Sequence, residues 1–166
     1  MKKAITLILT LFLVLSLQAQ NFKLYKPQKE EMREGLKVIG VYTASIVLDA
    51  MADGYRDNGD KEMSHLLEAA SIGTLVASPF IVRYEKDKWG WYLGTYVCLR
   101  YALFDCTYNA TRGLPLGYVG TTSVYDEILG KAPPGYINFT KYVSFVVGVS
   151  IPLDKFRNKN WVNRYD

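Results

Sequence analysis

The sequence predicts a mainly α-helical chain, a small bundle built on an antiparallel helix hairpin, with a C-terminal segment that reads as either strand or helix. Three observations carry this. Two apolar runs of helical length, VIGVYTASIVLDAMADG and SHLLEAASIGTLVASPFIV, flank one short polar stretch. Helix-ending and helix-starting residues, Gly54 and Asp60, stand on either side of that stretch. A third run, from Trp91 to Asn109, is too long for one strand and ends at Gly113 and Pro115.

At the N-terminus, Lys2 and Lys3 precede fourteen apolar-rich residues, Ala4 to Leu17, the pattern of a secretory signal. As a helix that run measures ~21 Å, short of the ~30 Å hydrocarbon core of a bilayer. Residues 1–20 are therefore expected to be a signal peptide cleaved near Ala19 or Gln20, and 21–166 a single exported domain of the cell envelope. The only cysteines, Cys98 and Cys106, lie far from that point, so an N-terminal lipid-modified cysteine is excluded. Eight residues apart on one helix, they stand ~12 Å from each other, beyond the reach of a disulfide.

The formal charge is +4, half of it from Lys2 and Lys3. Such a balance is no nucleic-acid footprint. Thirteen tyrosines, seven phenylalanines and three tryptophans suit a membrane interface, where one end of the ring is wet. They also suit an ordinary core.

Along the domain, residues 21–37 read as a charged, irregular arm with one helical turn around Lys29 to Arg33. Helix one follows from Val38 to Gly54, with Gly54 as its cap. Asp60 caps helix two, which runs to about Val82 with Glu62 and Glu68 near its positive end. Small residues recur four apart at Ala69, Gly73 and Ala77, a spacing that lets membrane helices approach closely. Gly40 and Ala44 offer a matching strip on helix one. The turn RYEKDK leads to helix three, which places Arg100 in the middle of an apolar segment. Ser123 and Asp126 are spaced to open a short helix ended by Gly130, Pro133 and Pro134. In KYVSFVVGVSIPL, residues 141–153, apolar and small residues alternate with β-branched enrichment, so strand and helix both stand.

The polar stretch between the first two helices gathers Asp53, Asp57, Asp60 and Glu62 with the only histidine, His65. Asp49 and Asp53 lie one turn apart, a costly pair of like charges unless a cation or proton sits with them. In a hairpin, Asp49, Asp53, His65 and Glu68 converge, and they are the candidate catalytic group. Carboxylate and imidazole divide proton transfer well near neutral pH. Arg100 from helix three completes a buried network, and ionisable groups in apolar surroundings are functional candidates. One histidine excludes a multi-histidine zinc site, and DNGD lacks calcium-loop spacing. No metal or cofactor is expected. No G-x-S-x-G elbow is present.

Two stretches carry resemblances. The run GDKEMSHLLEAASIGTLVA, with Asp60 and Lys61 opening a helix that bears His65, resembles YfiM-type envelope lipoproteins and, more distantly, VanZ-like membrane proteins. RYALFDCTYNATRGLPLGYVGTTSVYD, Arg100 to Asp126, resembles small multi-helix envelope proteins, some phage-encoded. The second resemblance implies a binding role for Arg100, Asp105, Asn109, Gly120, Thr121, Ser123 and Asp126.

Three architectures fit these observations: a helical bundle lodged in a membrane, a soluble periplasmic bundle, and a small outer-membrane barrel. The expected role is structural or binding, with membrane lipids as partners and an envelope protein or a second copy as further ones. The alternative is an acid/base enzyme acting on an envelope lipid or glycan.

Overall fold

The computed structural model describes residues 29–119 and 135–155, with residues 131 and 133 between them. The signal segment and the Ser123–Asp126 turn lie outside the described residues. Among the described residues there are four helices, α1 (Lys29–Asp57), α2 (Lys61–Ile81), α3 (Trp89–Thr111) and α4 (Tyr136–Lys155), with one 3-10 turn, Lys86–Lys88, ahead of α3. Among the described residues there is no strand.

α1 starts earlier than the charged composition suggested. KEEMREGLK is made of good helix formers, and Lys37 reaches back one turn to Glu34 at 2.5 Å. The helix also runs through Gly54, which does not cap it. It stops at Gly59, whose φ of +88° suits a residue without a side chain. There the Gly59 amide donates to the Arg56 carbonyl and the Asp60 amide to the Tyr55 carbonyl, both at 3.0 Å. This is the paired bonding of a Schellman stop. Asp60 then caps α2 at once, its carboxylate accepting from the Met63 amide at 3.0 Å. α3 ends in the same way at Gly113, with φ +69° and the Leu114 amide bonded to the Asn109 carbonyl at 2.8 Å.

The alternating segment 141–153 lies within α4. A single strand there would leave its amides and carbonyls without a ladder, whereas a helix pairs them internally. Strand propensity yields to that requirement.

The chain runs up, down, up and down. α2 returns along α1, with Ser45 facing Ser71. α3 runs parallel to α1, with the Tyr42 and Tyr96 rings edge to face at 5.5 Å. α4 returns along α3 and reaches α1 where Gly35 meets Pro152. The expected hairpin is present, but its seam differs from the expected one. Ala69, Gly73, Ala77, Gly40 and Ala44 are all exposed. The residues of α2 that are buried are Ser64, Ser71 and Ser78, seven apart, and on α1 Val38, Ser45 and Ala52 are buried at the same interval, with Ser45 against Ser71. A seven-residue repeat keeps two supercoiled helices in contact along their whole length, whereas the four-residue repeat drifts off the seam.

The apolar core, Val38, Val41, Tyr42, Ile46, Val82, Tyr92 and Leu99, occupies the half of the bundle nearest the α2–α3 turn. The other half encloses charged groups.

Candidate functional site

The polar half is assembled mainly by α1, α3 and α4. Arg100 projects from the middle of α3 to α1, where its Nη1 donates to Asp49 at 2.6 Å and to the Tyr96 hydroxyl at 3.4 Å. Its guanidinium lies 4.4 Å from the centre of the Phe104 ring, a cation–π distance. Both partners are about a third exposed, so the pair sits at the edge of the bundle interior.

About one turn further along α3, Asp105 accepts from Lys141 of α4 at 2.8 Å, and the Lys141 side chain is 6% exposed. Beside this pair the Tyr101 and Thr140 hydroxyls are bonded at 2.8 Å. Each buried charge thus has an opposite charge, the arrangement that keeps ionised groups tolerable away from water.

The four candidate catalytic residues do not meet at one point. Asp49 belongs to the Arg100 pair. Asp53 is bound by Arg56 at 3.0 Å, and Arg56 reaches Glu68 at 3.4 Å. The His65 Nδ1 stands 3.9 Å from Glu68 and its side chain is 76% exposed. Asp53, Arg56, Glu68 and His65 form a ladder across the α1–α2 hairpin, with the imidazole largely exposed. The placement joins two helices; it brings no acid and base to bear on a shared reacting atom.

Of the candidate binding residues, Asp105 is accounted for above. Asn109 is buried at 2% exposure and its amide nitrogen donates to the carbonyls of Leu116 at 3.3 Å and Tyr118 at 2.8 Å. It therefore ties down the loop that follows α3. Gly120, Thr121, Ser123 and Asp126 lie outside the described residues. Cys98 and Cys106 are both free thiols. Among the described residues no three His, Cys, Asp or Glu side chains are grouped to hold a metal ion.

Sequence reading missed Lys141 and the serine seam. Lys141 heads an apolar run, and its isolation there was a usable signal, hidden by the strand-like alternation that follows it. In the seam, Ser71 donates to the Ser45 carbonyl at 2.9 Å as well as meeting its hydroxyl. The Ser64 and Thr95 hydroxyls are buried with no hydrogen-bond partner.

The outer surface inverts this pattern. On α2, Leu66, Ile72, Val76 and Phe80 are exposed, Phe80 at 92%. α3 exposes Trp89, Trp91, Leu93 and Val97, and α4 exposes Phe139, Tyr142, Val143, Phe145, Val146 and Val147. By length and composition one helix among the described residues, α1 over Met32–Asp57, is apolar enough to cross a membrane, with 44% of its apolar window buried. No family model, curated protein or solved structure matches the chain.

Proposed function

We propose that this protein is an exported, membrane-embedded helical component of a cell envelope, with a structural or binding role set by its internal ion pairs. The observation that carries the reading is the polarity of α2 beyond its first turn, where the buried residues are Ser64, Ser71 and Ser78 while Leu66, Ile72, Val76 and Phe80 are exposed. In water that orientation is unfavourable, because burying a Leu, Ile or Phe side chain is worth ~1.5 to 3 kcal/mol. In hydrocarbon it is the favoured one: small and hydroxylated residues pack the helices together while large apolar ones face lipid.

Helix length supports the same reading. The stretches Leu36–Tyr55, Met63–Ile81, Trp89–Tyr108 and Tyr136–Leu153 each measure ~26 to 29 Å, close to the ~30 Å hydrocarbon core, and the first of them lies in the one described helix that is also apolar enough to cross it. Exposed aromatics stand at both ends, Trp89 and Trp91 at one and Tyr118 and Tyr136 at the other, as in the belts of membrane proteins. The resemblance of the Asp60–Ala77 run to envelope lipoproteins points the same way. Within such a bundle the Asp49–Arg100 and Asp105–Lys141 pairs fix which helix lies beside which.

Fractionation of cells expressing the full chain with its own N-terminus tests this, followed by alkaline carbonate extraction of the membranes. Retention in the pellet is the expected result. Release into the supernatant would return the protein to the soluble or peripheral class.

A further inference from the structure

The two ends of the bundle are not equivalent, and the difference points to a lipid class. At the α2–α3 turn, Phe80 and Ile81 lead in and Trp89 and Trp91 lead out, all exposed. Between them Arg83 and Lys86 are exposed. Beside them Glu34 pairs with Lys37 at 2.5 Å and Glu85 with Lys88 at 3.1 Å. In the turn itself, residues 82–88, Arg83, Lys86 and Lys88 stand against Glu85 and Asp87, a net of +1. At the opposite end the α1–α2 turn, residues 53–62, carries Asp53, Asp57, Asp60 and Glu62 against Arg56 and Lys61, a net of −2.

Resting on the membrane reading above, we infer that the α2–α3 turn is a docking surface for anionic phospholipid headgroups. The indole and phenyl groups fix the depth of the turn at the hydrocarbon boundary, which places the Arg83 and Lys86 side chains at the level of the phosphates. A zwitterionic headgroup balances its own phosphate with an amine or quaternary ammonium. An anionic glycerophospholipid leaves a net charge for the cations to meet, an attraction that adds per Lys or Arg near the surface. The acidic far end has no such complementarity, so the preference belongs to one leaflet.

The test uses the full chain without its signal segment, carrying Trp161→Phe so that Trp89 and Trp91 are the fluorophores. It is reconstituted in phosphatidylcholine vesicles containing either phosphatidylglycerol or phosphatidylcholine brominated near the carboxyl end of the acyl chain. At equal mole fraction the brominated phosphatidylglycerol is expected to quench severalfold more effectively. In the Arg83→Gln/Lys86→Gln variant, checked for unchanged helix content, the two lipids are expected to quench alike. Equal quenching in the parent protein overturns the inference and leaves the membrane reading intact. A preference that survives in the variant also overturns it, since other groups then select the lipid. Absence of quenching by either lipid overturns the membrane reading itself.

Discussion

Arg100 is the residue on which the interior of the bundle turns. One guanidinium serves a carboxylate, a phenol and an aromatic face contributed by α1 and α3. Removing one member of a fully buried ion pair costs ~3 to 5 kcal/mol; with both partners about a third exposed, Arg100→Leu should cost nearer ~2 kcal/mol. The double variant Asp49→Asn/Arg100→Leu should lose less than the two single losses added together, which equilibrium unfolding in mixed micelles measures. Strict additivity would mean that the pair contributes nothing as a pair. Lys141→Met should cost more than Arg100→Leu in the same assay, because Lys141 is almost wholly buried and its loss strands Asp105. Arg100 was legible in the sequence as a charge inside an apolar run that joins Asp49, whereas Asp105 and Asn109 entered only through a resemblance. The partner of Asp105 was not legible, because only the packing of α4 on α3 brings Lys141 to it. Nor was the dispersal of Asp49, Asp53, His65 and Glu68, which depends on where around α2 the seam falls.

At the scale of the helix, the glycines divide into two groups with opposite expectations. A Cβ at Gly148 would stand 3.1 Å from Cys98 and Leu99, and one at Gly54 would stand 2.8 Å from Thr111. Neighbours that close belong to packed helix faces, so Gly148→Ala and Gly54→Ala should each destabilise by ~1 to 3 kcal/mol. Gly40 and Gly73 have nothing within 4 Å of that position, and alanine there should stabilise by ~0.5 to 1 kcal/mol through helix propensity. Thermal unfolding in detergent checks both signs, and a loss at Gly40 or Gly73 would show that those strips are packed against something. Helices two and three were legible because Asp60 and Gly113 punctuate long apolar runs. The start of α1 and the state of residues 141–153 were not. At the first, helix propensity outweighed charge; at the second, backbone pairing outweighed β-branching.

At the scale of the whole molecule, serines line the seam between α1 and α2 and large apolar side chains stand on the outer faces of α2, α3 and α4, beside an apolar core centred on Val38, Ile46 and Leu99. Composition concealed this, since near-even hydropathy averages serine-lined seams with valine-lined faces. The small-xxx-small spacing pointed to close helix approach in a membrane while misplacing the contact surface. The serine positions 64, 71 and 78 mark the true seam, at an interval that shows only once α1 and α2 are laid together. The most direct test of this architecture is spin labelling along α2 in vesicles, with single cysteines at 71, 72, 76, 78 and 80 in a Cys98→Ala/Cys106→Ala background. Labels at 72, 76 and 80 are predicted to collide freely with oxygen and weakly with a water-soluble nickel chelate, and labels at 71 and 78 weakly with both. Free collision of the chelate at 76 and 80 would place that face in water and contradict the account.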